Sequence, residues 1–284
     1  MYQWRKGIAQ WTIDDTIYLS VVFSWDLPEA LRIAETSKKR VVIGGPAAKL
    51  AGIQTEELPY SALPFHNPLA TFTTRGCPNS CAFCAVPRLE GDLVELDDFP
   101  IKPVVCDNNL LAASIKHFDR VIDRLKVLPF VDFNQGLEAE RFTPYHAKRI
   151  KEIKHTKVRF ALDSSVDYDP VKNAIEICRA TGLNNIGIYV LIGFHDTPED
   201  AKTRLEWVRS QKIRPTPMRY QPLDCAVKNS YVAPKWTEKD LMGMMRYYSR
   251  LRWLEHIPYD EYRGYKEIQK DLLWPIPLTS DEGR

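Results

Sequence analysis

A chain of 284 residues, 44% hydrophobic and 27% charged, can bury one large core or two modest ones, and its composition excludes wholesale disorder. Its 39 basic and 37 acidic residues leave a formal net charge of +2. That balance argues against a strongly electrostatic nucleic-acid or membrane-surface protein, although a local basic patch remains compatible with it.

No stretch approaches the roughly 20 consecutive apolar residues of a membrane helix, so no membrane partner is expected. The start, MYQWRKGIAQWTIDD, has Asp14 and Asp15 where a signal peptide needs its apolar run. A cytoplasmic, reducing location is therefore expected, with the six cysteines present as thiols or metal ligands.

Residues 1–65 read as a small N-terminal lobe. TIYLSVVFSW (16–25) predicts a strand, LPEALRIAETSKK a helix and RVVIGG a second strand. One βαβ unit of ~30 residues is too small to stand alone and should pack against the rest. ELPYSALPFHNPL (57–69) is the expected linker. From about residue 70 an apolar run, a polar turn and a helical stretch repeat, with the runs at 69–76, 103–108, 130–136, 158–165, 186–194 and 217–223. In the first intervening helix Leu110, Leu111, Ile115, Phe118, Val121, Ile122 and Leu125 recur at helical spacing. DTPEDAKTRLEWVRSQ opens with a helix-start signal, and WTEKDLMGMMRYYSRLRWLEH carries a capping box from Thr237 to Asp240.

Strands alternating with helices imply a parallel sheet. Six such units favour an incomplete barrel over an open sheet, with chemistry at the carboxyl ends of its strands. The expected fold is therefore α/β: a partial (β/α)6 TIM-like barrel over 66–230, preceded by the βαβ lobe and followed by a helical extension at 231–284.

Half of the six cysteines, Cys77, Cys81 and Cys84, fall within TTRGCPNSCAFCAVPR, on a loop turned by Pro78. Thiolates so spaced can converge on one metal centre. Iron–sulfur clusters are held by cysteine thiolates, whereas structural zinc usually takes four protein ligands. Three ligands on a four-iron cluster leave one iron open to an exogenous group, which points to chemistry rather than electron storage.

CPNSCAFC, with the aromatic Phe83 before the third cysteine, resembles the C-x3-C-x-φ-C signature of radical S-adenosylmethionine enzymes, and follows the first predicted barrel strand as it does in that family. The resemblance implies a [4Fe-4S] cluster on Cys77, Cys81 and Cys84 whose fourth iron binds the methionyl amine and carboxylate of S-adenosyl-L-methionine. An electron, supplied by a reducing partner such as a flavodoxin or ferredoxin, would cleave the sulfonium, and a 5′-deoxyadenosyl radical would take a substrate hydrogen. CDNN stands where the family often has Gly-Gly-Glu, which makes Asp107, Asn108 and Asn109 candidates for the methionyl amine. Asp163, Ser164 and Ser165 resemble the polar residues that meet the ribose hydroxyls. Leu191, Ile192 and Gly193 resemble the adenine-binding strand, with Phe83 beside the adenine. Arg219 is a candidate for the methionyl carboxylate.

The N-terminal lobe is similar to part of a cobalamin-binding domain, but it is much shorter and the chain lacks Asp-x-His-x-x-Gly, so bound cobalamin is not expected. TTRGCPNSCAFC is also similar to methylthiolating enzymes acting on transfer RNA, whose second three-cysteine cluster and RNA-binding barrel are missing here. Cys225, after the last strand, is a candidate hydrogen-atom donor, while Cys106 and Cys178 read as core. Asn134, Gln135, Glu138 and His195 are candidate substrate contacts. The C-terminal aromatics Tyr247, Tyr248, Trp253, Tyr259, Tyr262, Tyr265 and Trp274 read as core rather than as a base-stacking surface. The substrate expected is a nucleotide, a modified base or a small metabolite. A non-catalytic iron–sulfur electron carrier and a zinc-dependent nucleic-acid-binding module are the competing functions.

Overall fold

The acidic pair Asp14–Asp15 turns the chain back on itself, because aspartate tolerates the left-handed conformation that a two-residue hairpin needs. Asp14 adopts φ 49°. In the computed structural model, which describes residues 3–5, 7–54, 56–59, 61–254 and 256–262, the hairpin joins β2 (Ile8–Ile13) to β3 (Thr16–Val21), with Ile13 opposite Thr16. A further antiparallel strand, β1 (Gln3–Arg5), precedes them. Helix α1 (Leu27–Thr36) then crosses to β4 (Arg40–Gly44), which runs parallel to β3. The expected βαβ unit is present, but it belongs to a four-stranded sheet of order β1-β2-β3-β4, and β3 stops at Val21 rather than residue 25.

The lobe has its own small core, made by Ile8, Leu19, Val21, Ala30, Ile43, Ala47 and Ala48. Gly45, at φ 92°, leads into α2 (Pro46–Leu50). A Cβ there would stand 2.8 Å from both N and O of Val21, so the turn accepts only glycine. The linker holds one helical turn, α3 (Leu63–His66), and His66 Nε2 lies 3.0 Å from Ser20 Oγ.

Strand–helix alternation follows as expected. In chain order the elements are β5 (Ala70–Thr71), β6 (Thr74–Arg75), α4 (Val86–Leu89), β7 (Val94–Glu95), β8 (Val104–Val105), α5 (Ile115–Leu125) and β9 (Val131–Phe133). They continue with α6 (Pro144–Ile150), β10 (Thr156–Ala161), α7 (Tyr168–Thr181), β11 (Ile186–Ile192), α8 (Pro198–Ser210), β12 (Pro215–Arg219), α9 (Glu238–Ser249) and α10 (Leu251–Leu254). Each of the six predicted apolar runs supplies one strand to a parallel sheet of order β5-β8-β9-β10-β11-β12, with β5 and β12 at its two ends. The short β6 and β7 pair separately.

Register decides which side chains meet the helices. Val105 opposes Phe133, and Val158 opposes Ile186. The face shared by Phe133, Val158, Phe160, Ile188, Val190 and Ile192 is buried in one core with Phe118, Val121, Ile122 and Leu125 of α5. Alternation sends Asp132, Arg159, Tyr189, Leu191 and Met218 to the other face. That face is polar: Met218 at its edge is 47% exposed, and Arg159, itself largely buried, donates through Nε and Nη2 to the two oxygens of Asp132, at 2.9 and 2.6 Å. Parallel sheets are usually buried on both faces. Among the described residues, the large apolar core lies on the helix side of this one.

Helix α9 begins at the predicted capping box, Thr237 to Asp240, and seals the end of the sheet beside β12. Tyr247 and Tyr248 are fully buried, and Tyr259 and Tyr262 pack against the same core. Trp253 departs from the expectation and faces solvent, while Tyr265 and Trp274 lie outside the described residues. Among the described residues no helix is long and apolar enough to cross a membrane. The Gly45→Ala variant should lose about 2–3 kcal/mol in a urea titration, since both a positive φ and a backbone clash oppose the new methyl.

Candidate cofactor and substrate site

The site begins at a buried carboxylate. Asp107, just beyond β8, accepts the N–H groups of Thr73 and Thr74 (2.9 Å) on Oδ1 and the Thr73 hydroxyl on Oδ2. These contacts hold the chain that leaves β5. It then runs into the short ladder of β6 and β7, which pairs Thr74 with Glu95 and Arg75 with Val94. Cys77 N–H donates to Gly91 O at 3.1 Å, and Glu90 accepts from Arg75 Nη2 (2.6 Å), Gly76 N–H (2.9 Å) and Asn108 Nδ2 (2.7 Å). Gly76 sits at φ 72° with its missing Cβ only 1.9 Å from Asp92 O. No other residue fits this neck. The loop that carries the three thiols is thus closed at its base, and its direction is set by Asp107 and Glu90.

Within the loop each sulfur is within electrostatic reach of another. Burial raises the Cys81 thiol pKa, and Cys84 and Cys77 raise it further; burial likewise raises that of Cys84, with Cys77 adding to it. N–H groups face two of the sulfurs: Asn79 N and Asn109 Nδ2 lie 3.4 and 3.5 Å from Cys77 Sγ, and Val86 N lies 3.5 Å from Cys84 Sγ. Among the described residues no group of three or more His, Cys, Asp or Glu side chains is gathered around a point where one metal ion could sit.

Beside the loop lies a cavity of about 750 Å³ at the carboxyl ends of β10 and β11. The thiol loop contributes Cys81, Ala82 and Phe83 to its lining, and the end of β10 contributes Asp163, Ser164 and Ser165. Leu191 and His195 line it from β11 and the turn beyond. Seven residues singled out in the sequence therefore meet at one place. Asp163 accepts Leu191 N–H at 3.2 Å, and burial pushes its carboxyl up to about 6. Asp167 accepts the N–H and hydroxyl of Ser164, at 2.7 and 3.0 Å, and so orients that turn.

Other candidates stand elsewhere. Ile192 faces the helices, and Gly193 donates its N–H to Asp196 at 3.1 Å. Asp107 and Asn108 are spent on the neck of the loop. Arg219, expected at a ligand carboxylate, has a side chain 4% exposed that is engaged by Glu238 and by the carbonyls of Asn229 and Tyr231, and so clamps β12 to α9. The Cys225 thiol is occupied by Val227 O (3.0 Å) and Ser230 Oγ (3.2 Å) and does not line the cavity. Asn134 offers its carbonyl to the Tyr189 hydroxyl, Gln135 is exposed, and the two oxygens of Glu138 already accept three donors. Cys178 is buried in the core as expected, and Cys106 is buried at the end of β8.

Sequence reading missed the pair that holds the far wall. Arg204 on α8 donates to Asp196 at 2.5 Å and to Leu191 O at 2.8 Å, while Asp196 also accepts from Phe194 N–H and Trp236 Nε1. In the sequence, Asp196 reads as part of a helix start and as the polar neighbour of His195 after the fifth strand, with nothing to mark Arg204 as its partner. Phe194 was missed too; its ring stacks on His195 at 3.8 Å and meets the edge of Phe83 at 5.9 Å. Together they form an aromatic shelf beside carboxylate and hydroxyl acceptors, an arrangement suited to a planar ring attached to a polyol.

The raised Asp107 has a sign that can be measured. Because burial lifts its folded-state pKa to about 6, its stabilising contribution is full below the unfolded value of ~4 and is lost as pH rises through 6. Relative to Asp107→Asn, the native chain should gain about 1 kcal/mol between roughly pH 7.5 and roughly pH 5 in paired thermal melts.

No protein-family model matches the chain and no curated protein matches it, so the reading of this site rests on its own residues.

Proposed function

We propose that this chain is a radical S-adenosylmethionine enzyme on a partial (β/α)6 barrel, acting in the cytoplasm on a nucleotide, modified base or other small metabolite. One observation carries the reading. The C-x3-C-x-Phe-C loop opens onto a cavity in which Phe83, Asp163, Ser164 and Leu191 converge from distant parts of the chain. A non-catalytic electron carrier has no use for a cavity of this size beside its ligands.

The donor set fits the cofactors. Cys77, Cys81 and Cys84 would hold a [4Fe-4S] cluster, which is wider than a single ion and needs no tight convergence of the three sulfurs. Amide N–H groups directed at the sulfurs of Cys77 and Cys84 are the partners that cluster thiolates use. Asn109, 4% exposed, keeps Oδ1 without a partner, and an unmatched buried acceptor of this kind is accounted for by a donor on a bound ligand. When bound, the cluster and S-adenosyl-L-methionine supply one-electron cleavage of the sulfonium and, through it, hydrogen-atom abstraction from the substrate.

The chain's own side chains do the rest. Asp163, ionised above about pH 6, accepts from ribose hydroxyls, and the Ser164 turn borders the same space. Phe83, Phe194 and Leu191 bracket a planar ring and exclude water from it. A reduced flavodoxin or ferredoxin would deliver the electron.

Anaerobically reconstituted protein should be brown and should convert S-adenosyl-L-methionine and dithionite into 5′-deoxyadenosine and methionine. Each single change Cys77→Ala, Cys81→Ala or Cys84→Ala should abolish that product. Asp163→Asn should weaken S-adenosylmethionine binding about tenfold while leaving iron content intact. Colourless protein loaded with zinc, or iron-loaded protein that never forms 5′-deoxyadenosine, would refute the assignment.

A further inference from the structure

We propose that Glu138 is a positioning residue: it locks the amide of Asn109 against Cys77 and tethers the thiol loop to the end of β9. The inference deepens the cluster reading above and rests on it for its effect on catalysis, though not for its geometry.

Leu137, buried and bonded through its N–H to Arg159 O at 2.7 Å, fixes the point from which Glu138 departs. The Glu138 carboxylate then joins three segments. Oε1 accepts Asn79 Nδ2 from the thiol loop at 3.1 Å. Oε2 accepts Asn109 Nδ2, beyond β8, at 2.7 Å and Arg141 Nε at 2.6 Å. Arg141 offsets the negative charge, which would otherwise stand unpaired near an electron-rich centre.

An ionised carboxylate only accepts hydrogen bonds. Asn109 must therefore turn its NH2 group toward Glu138, and that same nitrogen is 3.5 Å from Cys77 Sγ. Its two hydrogens serve the carboxylate and the sulfur. The consequence falls on the other end of the amide. Oδ1 is left buried and unmatched, because the carboxylate fixes which end of the amide faces it. Glu138 thus keeps an acceptor in reserve for a ligand and keeps an N–H on the sulfur, neither of which a motif at CDNN alone specifies.

Hydrogen exchange on the full-length, metal-free chain tests the tether without any cluster. Amides across 77–84 should exchange about tenfold faster in Glu138→Ala, and comparably faster in Asn79→Ala, which removes only the loop's side of the contact and spares the buried network. In reconstituted protein, Glu138→Gln should hold iron as the native chain does but bind S-adenosylmethionine about tenfold more weakly, because its own NH2 can satisfy Asn109 Oδ1 and use up the reserved acceptor. Native exchange rates in both alanine variants, or native affinity in Glu138→Gln, overturn the proposal. If the native chain takes up no iron, the radical reading falls while the exchange result still decides the tether.

Discussion

A single carboxylate in a dry pocket sets the course of the loop on which the chemistry depends. Asp107 ends one strand and grips the first residues beyond its neighbour through two N–H groups and a hydroxyl, 3% exposed and with its carboxyl pushed up to about 6. Charge buried this way is costly unless hydrogen-bonded, and here every donor comes from the segment being held. From that grip the β6–β7 ladder, Glu90 and Gly76 follow as a closed neck. Three thiols on an open loop would wander; on a necked loop they share one side of the sheet's end.

The sheet explains why there is room beside them. Among the described residues the apolar core lies on the helix side, and the other face bears Asp132, Arg159 and Tyr189 in place of the bulky layers that fill a closed barrel. The N-terminal lobe touches both margins of this open side. Lys49 Nζ donates to Leu89 O next to the thiol loop, and Ser24 Oγ donates to Cys225 O beyond the last strand, each at 2.6 Å. The lobe thus braces the segments that follow the first and last strands of the sheet.

Much of this was legible in residue order, and the exceptions have physical causes. The six strands, the helix start at Asp-Thr-Pro-Glu and the capping box at Thr237 could be read because periodicity and caps are local signals. The β2–β3 hairpin is hard to see in the sequence because IAQWTI alternates weakly, and Asp14–Asp15 speak against a signal peptide without by themselves announcing a turn. Phe83, Asp163, Ser164, Ser165, Leu191 and His195 were found together because strand ends converge in a parallel sheet. Arg219, Asp107 and Glu138 were assigned to ligands because sequence gives a side chain's place along a strand but not the neighbour that already satisfies it. For Arg219 that neighbour is Glu238; for Glu138 it is Asn79 and Asn109. The Asp196–Arg204 wall was invisible for the same reason: its members are eight residues apart across a turn and carry no period.

The central claim is a cluster held at three corners by Cys77, Cys81 and Cys84, with the fourth open to S-adenosylmethionine. Electron paramagnetic resonance of the dithionite-reduced, oxygen-free protein reads that corner directly. Adding S-adenosyl-L-methionine should change the spectrum of the reduced centre, and a 17O label in its carboxylate should broaden it through coupling to one iron. A spectrum indifferent to the ligand, or no reduced iron signal at all, would contradict the account.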